Sequence, residues 1–99
     1  MFIHTSAKII YKSFIGKKKT CNLCFQYIVP KGSNLSELEP FRTIAYKISL
    51  RKHGIPYKNV VSCEFIDKER DPNFIDLDLF IDIKKEILEQ ENYVWKYLK

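Results

Sequence analysis

Four carboxylates could do chemistry if the fold gathers them. The segment N-F-I-D-L-D-L-F-I-D-I-K-K-E, residues 73–86, places Asp76, Asp78 and Asp82 at even positions and fills the odd ones with Ile and Leu. Glu64 lies a dozen residues upstream in V-V-S-C-E-F-I. Alternation of period two predicts a strand over 75–81 or 75–83, with the apolar residues inward and the aspartates on the wet side. If residues 60–66 pair with it as a hairpin, Glu64 comes to lie across from Asp76 and Asp78. Three carboxylates so placed suit a hard cation such as Mg²⁺ or Mn²⁺ and phosphoryl transfer. The plainer expectation is that these acids are the solvated face of an antiparallel sheet, with Lys8 and Lys12 as partners across it or Asp82 capping a following helix.

The run D-L-D-L-F-I-D resembles the acidic strand of small nucleotidyltransferases. That resemblance implies an Asp-x-Asp pair, Asp76 and Asp78, holding a metal with the nucleotide. The family also carries a Gly-Ser turn about a dozen residues upstream to hold phosphates. This chain has C-E-F-I-D-K there, without glycine. Asp82-Ile83-Lys84 is similar to the D-x-K of nuclease cores.

Other chemistry-bearing residues are the thiols and imidazoles. Cys21 and Cys24 have C-x-x-C spacing, and Cys63 and His53 would complete a zinc set. Thr20–Val29, however, alternates as a strand, which turns Cys21 and Cys24 to opposite faces. Buried thiols acting as small hydrophobes fit better. Cys21 and Cys63 both fall on apolar faces, and they would touch if their strands were neighbours. His4 and His53 have no partner at catalytic spacing. No glycine-rich phosphate loop or cofactor motif is present.

The bases form a second constellation. Lys17, Lys18 and Lys19 stand together beside Gly16, and Lys8, Lys12, Arg51 and Lys52 belong to the same half of the chain. Residues 1–58 hold eleven bases against two acids, +9. Residues 59–99 hold six against ten, −4, for a net +5. Tyr11, Tyr46 and Tyr57 are interleaved with the bases. Such a surface can contact phosphates and stack bases, or dock an acidic protein. Solvated lysines guarding a sheet edge are the bland counterpart. No zinc-finger, RNA-recognition or helix-turn-helix signature accompanies them.

Elements must hold these residues in place. Residues 7–15 and 20–29 read as a hairpin about a turn at 16–19. Phe41, Ile44, Ala45 and Ile48 recur at helical spacing, with Ser36 and Glu39 as a capping box, or Glu39 and Pro40 as a start one turn later, and Gly54 as the stop. Strands over 60–66 and 75–83 follow. A helix from about Ile83 carries Tyr93, Val94, Trp95, Tyr97 and Leu98 at its end, a face wide enough to suggest a homodimer contact. The order β-β-α-β-β-α predicts one α+β domain over residues 1–99, a two-layer structure with an antiparallel sheet of about four strands and two helices.

The N-terminus has no signal-peptide pattern and no apolar run reaches membrane-spanning length. An intracellular, non-secreted protein without a membrane span is expected. Lys, Ile, Phe, Tyr and Asn are abundant and Ala is scarce. As a whole the chain resembles the small proteins of filamentous or rod-shaped viruses of thermophilic archaea. That resemblance implies a heat-resistant protein working in the host cytoplasm. The functional expectation is a non-enzymatic binding module with its basic N-terminal half toward nucleic acid or an acidic protein. The alternatives are a metal-dependent phosphoryl-transfer enzyme or nuclease at Glu64, Asp76 and Asp78, and a viral structural or homo-oligomeric protein.

Overall fold

The computed structural model describes residues 1–29 and 38–83. Three strands and one helix organise them: β1 (Phe2–Lys12), β2 (Lys18–Ile28), α1 (Leu38–Lys52) and β3 (Val60–Glu69). The sheet is antiparallel with order β2-β1-β3. The α+β character expected from the sequence is present, with three strands among the described residues where about four were expected for the chain. The C-terminal helix expected from Ile83 onward, with its aromatic face, lies outside the described residues.

β1 starts five residues earlier than its apolar run suggests, because His4 and Ser6 occupy the open face of a strand whose other face is buried. Ile3, Thr5, Ala7 and Ile9 point toward the helix layer and are almost fully buried. Register places Tyr27, Phe25, Leu23 and Cys21 beside them on β2. From β3, Phe65 and Cys63 join the same layer, as expected, whereas Val61 does not and stays exposed. α1 closes the layer with Leu38, Ala45, Tyr46, Ile48 and Leu50.

The helix stops where its residues require. Gly54 takes φ +70°, a left-handed conformation that favours glycine. Its N–H donates to Arg51 O, and the Ile55 N–H donates to Leu50 O at 2.9 Å. This is the paired-bond Schellman ending, and Ile55 and Leu50 are both buried, the hydrophobic contact that accompanies it. Ser36 lies outside the described residues, and the helix begins at Leu38 with Pro40 in its first turn, where a missing N–H is harmless.

Among the described residues, the fourth strand expected over 75–83 does not form. After β3 the chain crosses the sheet's open face and turns alongside the outer edge of β2. There it makes a single parallel bridge, Phe80 with Gln26. Gln26 N–H donates to Leu79 O (3.0 Å) and Ile81 N–H donates to Gln26 O (2.8 Å). The Gln26 side chain also holds the crossover, accepting from Asp76 N–H at 2.8 Å and donating to Phe74 O at 3.4 Å. Ile81 and Ile83 reach the core as expected, while Leu77 is 81% exposed and Ile75 is also exposed.

Candidate functional site: a basic hairpin end

The β1–β2 turn is built by Ser13, Phe14, Ile15 and Gly16. Ser13 N–H donates to Lys17 O (2.7 Å), and Gly16 N–H donates back to Ser13 O (2.9 Å). Gly16 sits at φ +81°, again a glycine position. The turn carries no apolar residue inward. Phe14 is fully exposed and Ile15 is 71% exposed. Both extend from a ribbon whose last cross-strand pairs are Lys12 with Lys18 and Tyr11 with Lys19. An aromatic and an aliphatic side chain in water cost solvation free energy, roughly 1.5–3 kcal/mol each relative to burial. The sequence expectation treated both as strand residues and missed them. The signal was the S-F-I-G run bracketed by lysines, which is a turn in which no residue can point into a core.

Of the residues expected in a basic surface, the fold gathers most but not all. Lys12, Lys17, Lys18 and Lys19 share the hairpin. Arg51 and Lys52 end α1. Eight residues after Lys52, Val60 pairs with Tyr11, so the helix C-terminus and the start of β3 lie at this same end of the sheet. Lys58 and the exposed Tyr57 stand between them, and the Lys47 ammonium lies 4.8 Å from the Tyr57 ring centroid. Lys8 is separate. It is four residues back along β1, roughly 13 Å, on the open face with Glu64 and Asn22 opposite it in register.

Behind the basic end runs a cleft of about 460 Å³. Tyr46, Tyr57 and Phe65 line it, with Cys63 and Lys58. Tyr46 meets Phe65 edge-on at 5.1 Å and Tyr57 at 6.2 Å between centroids. The buried Tyr46 hydroxyl lies by the Cys63 thiol without a hydrogen bond of ordinary geometry. Burial pushes the Cys63 thiol above its usual pKa, and the neighbouring phenol offsets this in part. A thiol held protonated is a poor nucleophile.

The carboxylates expected to form a metal site are apart. Glu64 is on β3, opposite Lys8, whereas Asp76 is tied to the side chain of Gln26, which lies opposite His4. His4 and Lys8 are four residues apart on β1, so the two acids are offset by roughly 13 Å along the strands. The hairpin that would have joined residues 60–66 to 75–83 does not form, because the connection is a crossover over the open face. Asp76 does not stand on a strand face either. Its carboxylate accepts from Asp78 N–H at 3.0 Å, and its carbonyl accepts from the Leu79 and Phe80 amides. Asp71 closes the preceding turn in the same way, accepting from Asn73 N–H at 2.9 Å. Among the described residues no three His, Cys, Asp or Glu side chains stand where they could share a metal.

The thiols are free. Cys21 and Cys63 do not touch: both oppose Ile9, with β1 between them. Two strand spacings, about 10 Å, exceed disulfide reach. Cys24 faces the other way, beside Ser6, as alternation requires. His53 ends α1 with its Nδ1 at 2.8 Å from Ser49 O. No helix among the described residues is long and apolar enough to cross a membrane.

No family model, no curated protein and no solved structure matches this chain, so its function has to be argued from the hairpin and its surroundings.

Proposed function

We propose that the protein is a non-enzymatic nucleic-acid-binding module that uses its basic end, with the β1–β2 hairpin as the inserting element. The observation that carries this is the exposed Phe14-Ile15 tip between lysines. Lysines neutralise phosphates and release counterions. A two-stranded ribbon fits a duplex groove, and apolar wedges between base steps are a known use of exposed Phe and Ile. Tyr57, with Lys47 and Lys58 around it, offers a stacking surface on the same end. A membrane surface would engage the tip alone. The bases at Arg51, Lys52 and Lys58 extend the positive surface beyond the tip, which suits a polyanion with length.

Fluorescence anisotropy with labelled single- and double-stranded oligonucleotides tests it. Expected is affinity that falls steeply with salt, a slope reduced by roughly one per lysine removed from Lys17, Lys18 and Lys19, and weakening on Phe14→Ala with the slope unchanged. Binding indifferent to salt would overturn the proposal. So would binding to anionic vesicles with none to either oligonucleotide.

A further inference from the structure

β3 is an outer strand of the sheet. β1 occupies its inner rim, and among the described residues nothing pairs with its outer rim. Open strand edges are sites of pairing unless blunted. One end of β3 is blunted. The register slips at Val61, where Ile10 opposes Ser62 but Tyr11 opposes Val60. That bulge ends the regular strand. At the other end Arg70 N–H still donates to Phe2 O at 2.9 Å, and then Asp71-Pro72 turns the chain away. The regular edge is therefore Ser62–Arg70, and its midpoint is Ile66. Ile66 is 62% exposed on the open face, in line with Ser62, Glu64, Lys68 and Arg70.

We propose that β3 pairs antiparallel with β3 of a second copy, about a twofold axis at Ile66, giving a continuous six-stranded sheet. Symmetry limits the choices. A twofold relating antiparallel neighbours stands normal to the sheet and keeps its faces, so one residue must oppose itself. An axis at Glu64, Asp67 or Lys68 sets like charges against each other. An axis at Phe65 sets Glu64 against an isoleucine. With the axis at Ile66, isoleucine meets isoleucine and Glu64 opposes Lys68 of the partner subunit, twice by symmetry. This register also uses the whole regular edge. On the helix face it brings Phe65 opposite Asp67 of the partner subunit, a carboxylate already paired to Arg42 within its own chain. Directly opposed pairs of unlike charge stabilise a ladder, and like charges there destabilise it.

Sedimentation velocity over a concentration series of the full chain tests this. Expected is a monomer–dimer equilibrium that moves to dimer on concentration. Ile66→Lys lowers association by about tenfold or more while the circular dichroism spectrum and melting are kept, because the side chain is exposed. Lys68→Glu and Glu64→Lys each weaken self-association, since each homodimer then opposes like charges. Mixing those two variants restores dimer as a heterodimer, in which every 64–68 contact is again of unlike charge. A chain that stays monomeric throughout overturns the pairing. A dimer indifferent to Ile66→Lys overturns it too, and a mixture no more associated than its components overturns the register.

Discussion

The most constrained polar group is Asp67. Its Oδ1 accepts from the Thr5 hydroxyl (2.7 Å) and its Oδ2 from Arg42 Nη1 (2.5 Å). Thr5, so engaged, is left to accept from Tyr27 at 3.0 Å. Arg42 also lies over the Phe65 ring, 4.7 Å from its centroid. Thr5 and Tyr27 are fully buried, and burial pushes the Tyr27 phenol up to about 12. Asp67→Asn should cost about 1–3 kcal/mol, because it leaves an arginine short of an acceptor in a half-dry site. Tyr27→Phe should cost only about 1 kcal/mol, since Thr5 keeps its carboxylate. Urea unfolding of the two variants checks the order, and a Tyr27→Phe cost exceeding that of Asp67→Asn would contradict it. His4 gives a pH signature. Burial lowers its pKa, as do Arg70 and Lys68 nearby, against a weaker opposing pull from Asp76. Its Nδ1 lies 3.1 Å from the Gln26 amide nitrogen, a donor, so the neutral ring accepts. A base with a depressed folded pKa stabilises the fold above its unfolded pKa of about 6.5 and loses that contribution as pH falls through the folded value. Stability should therefore decline below about pH 6.5, and His4→Gln should flatten that part of the profile.

Elements were legible where one face was buried against another layer and illegible where turns imitate strands. The β1–β2 hairpin, α1 with its glycine stop, and the half-buried β3 all follow from periodicity and capping residues. Residues 75–81 did not, and the cause is specific. An aspartate whose side chain bonds the amide two residues on repeats at the same interval as a strand's wet face. Asp71 with Asn73 and Asp76 with Asp78 are such pairs. The deciding residue lies elsewhere in the chain, since Gln26 is the buried amide that captures the crossover. No local pattern reports a partner fifty residues away. Gln26→Leu should free the Asp76 amide, which then exchanges faster with solvent. The β1–β3 ladder should keep its protection, as should the Ile81 amide on the Gln26 backbone carbonyl. Hydrogen exchange by NMR resolves these sites, and an unchanged Asp76 amide would show that the turn stands without the glutamine.

At the scale of the whole molecule, the charge asymmetry between sequence halves becomes an asymmetry between two ends. The sequence showed the signs, but strand order assigns them to places. The hairpin turn, the α1 C-terminus and the start of β3 converge because Tyr11 pairs with Lys19 on one side and Val60 on the other. That end collects Lys12, Lys17, Lys18, Lys19, Arg51, Lys52 and Lys58. Among the described residues, the opposite end, where Ile3 pairs with Glu69, holds Glu69, Asp71, Asp76 and Asp78 beside Lys68, Arg70 and the N-terminal ammonium. A polyanion should therefore meet the molecule end-on. Position relative to that end, and not membership of the basic half of the sequence, should decide what each lysine contributes. Lys58→Ala and Lys52→Ala should each lower the salt slope of oligonucleotide binding by roughly one. Lys8→Ala should leave it nearly unchanged, because Lys8 stands four residues back along β1 with Glu64 opposite it. A Lys8 effect equal to that of Lys58 would place the contact on the open face of the sheet, and the hairpin would lose its role as the inserting element.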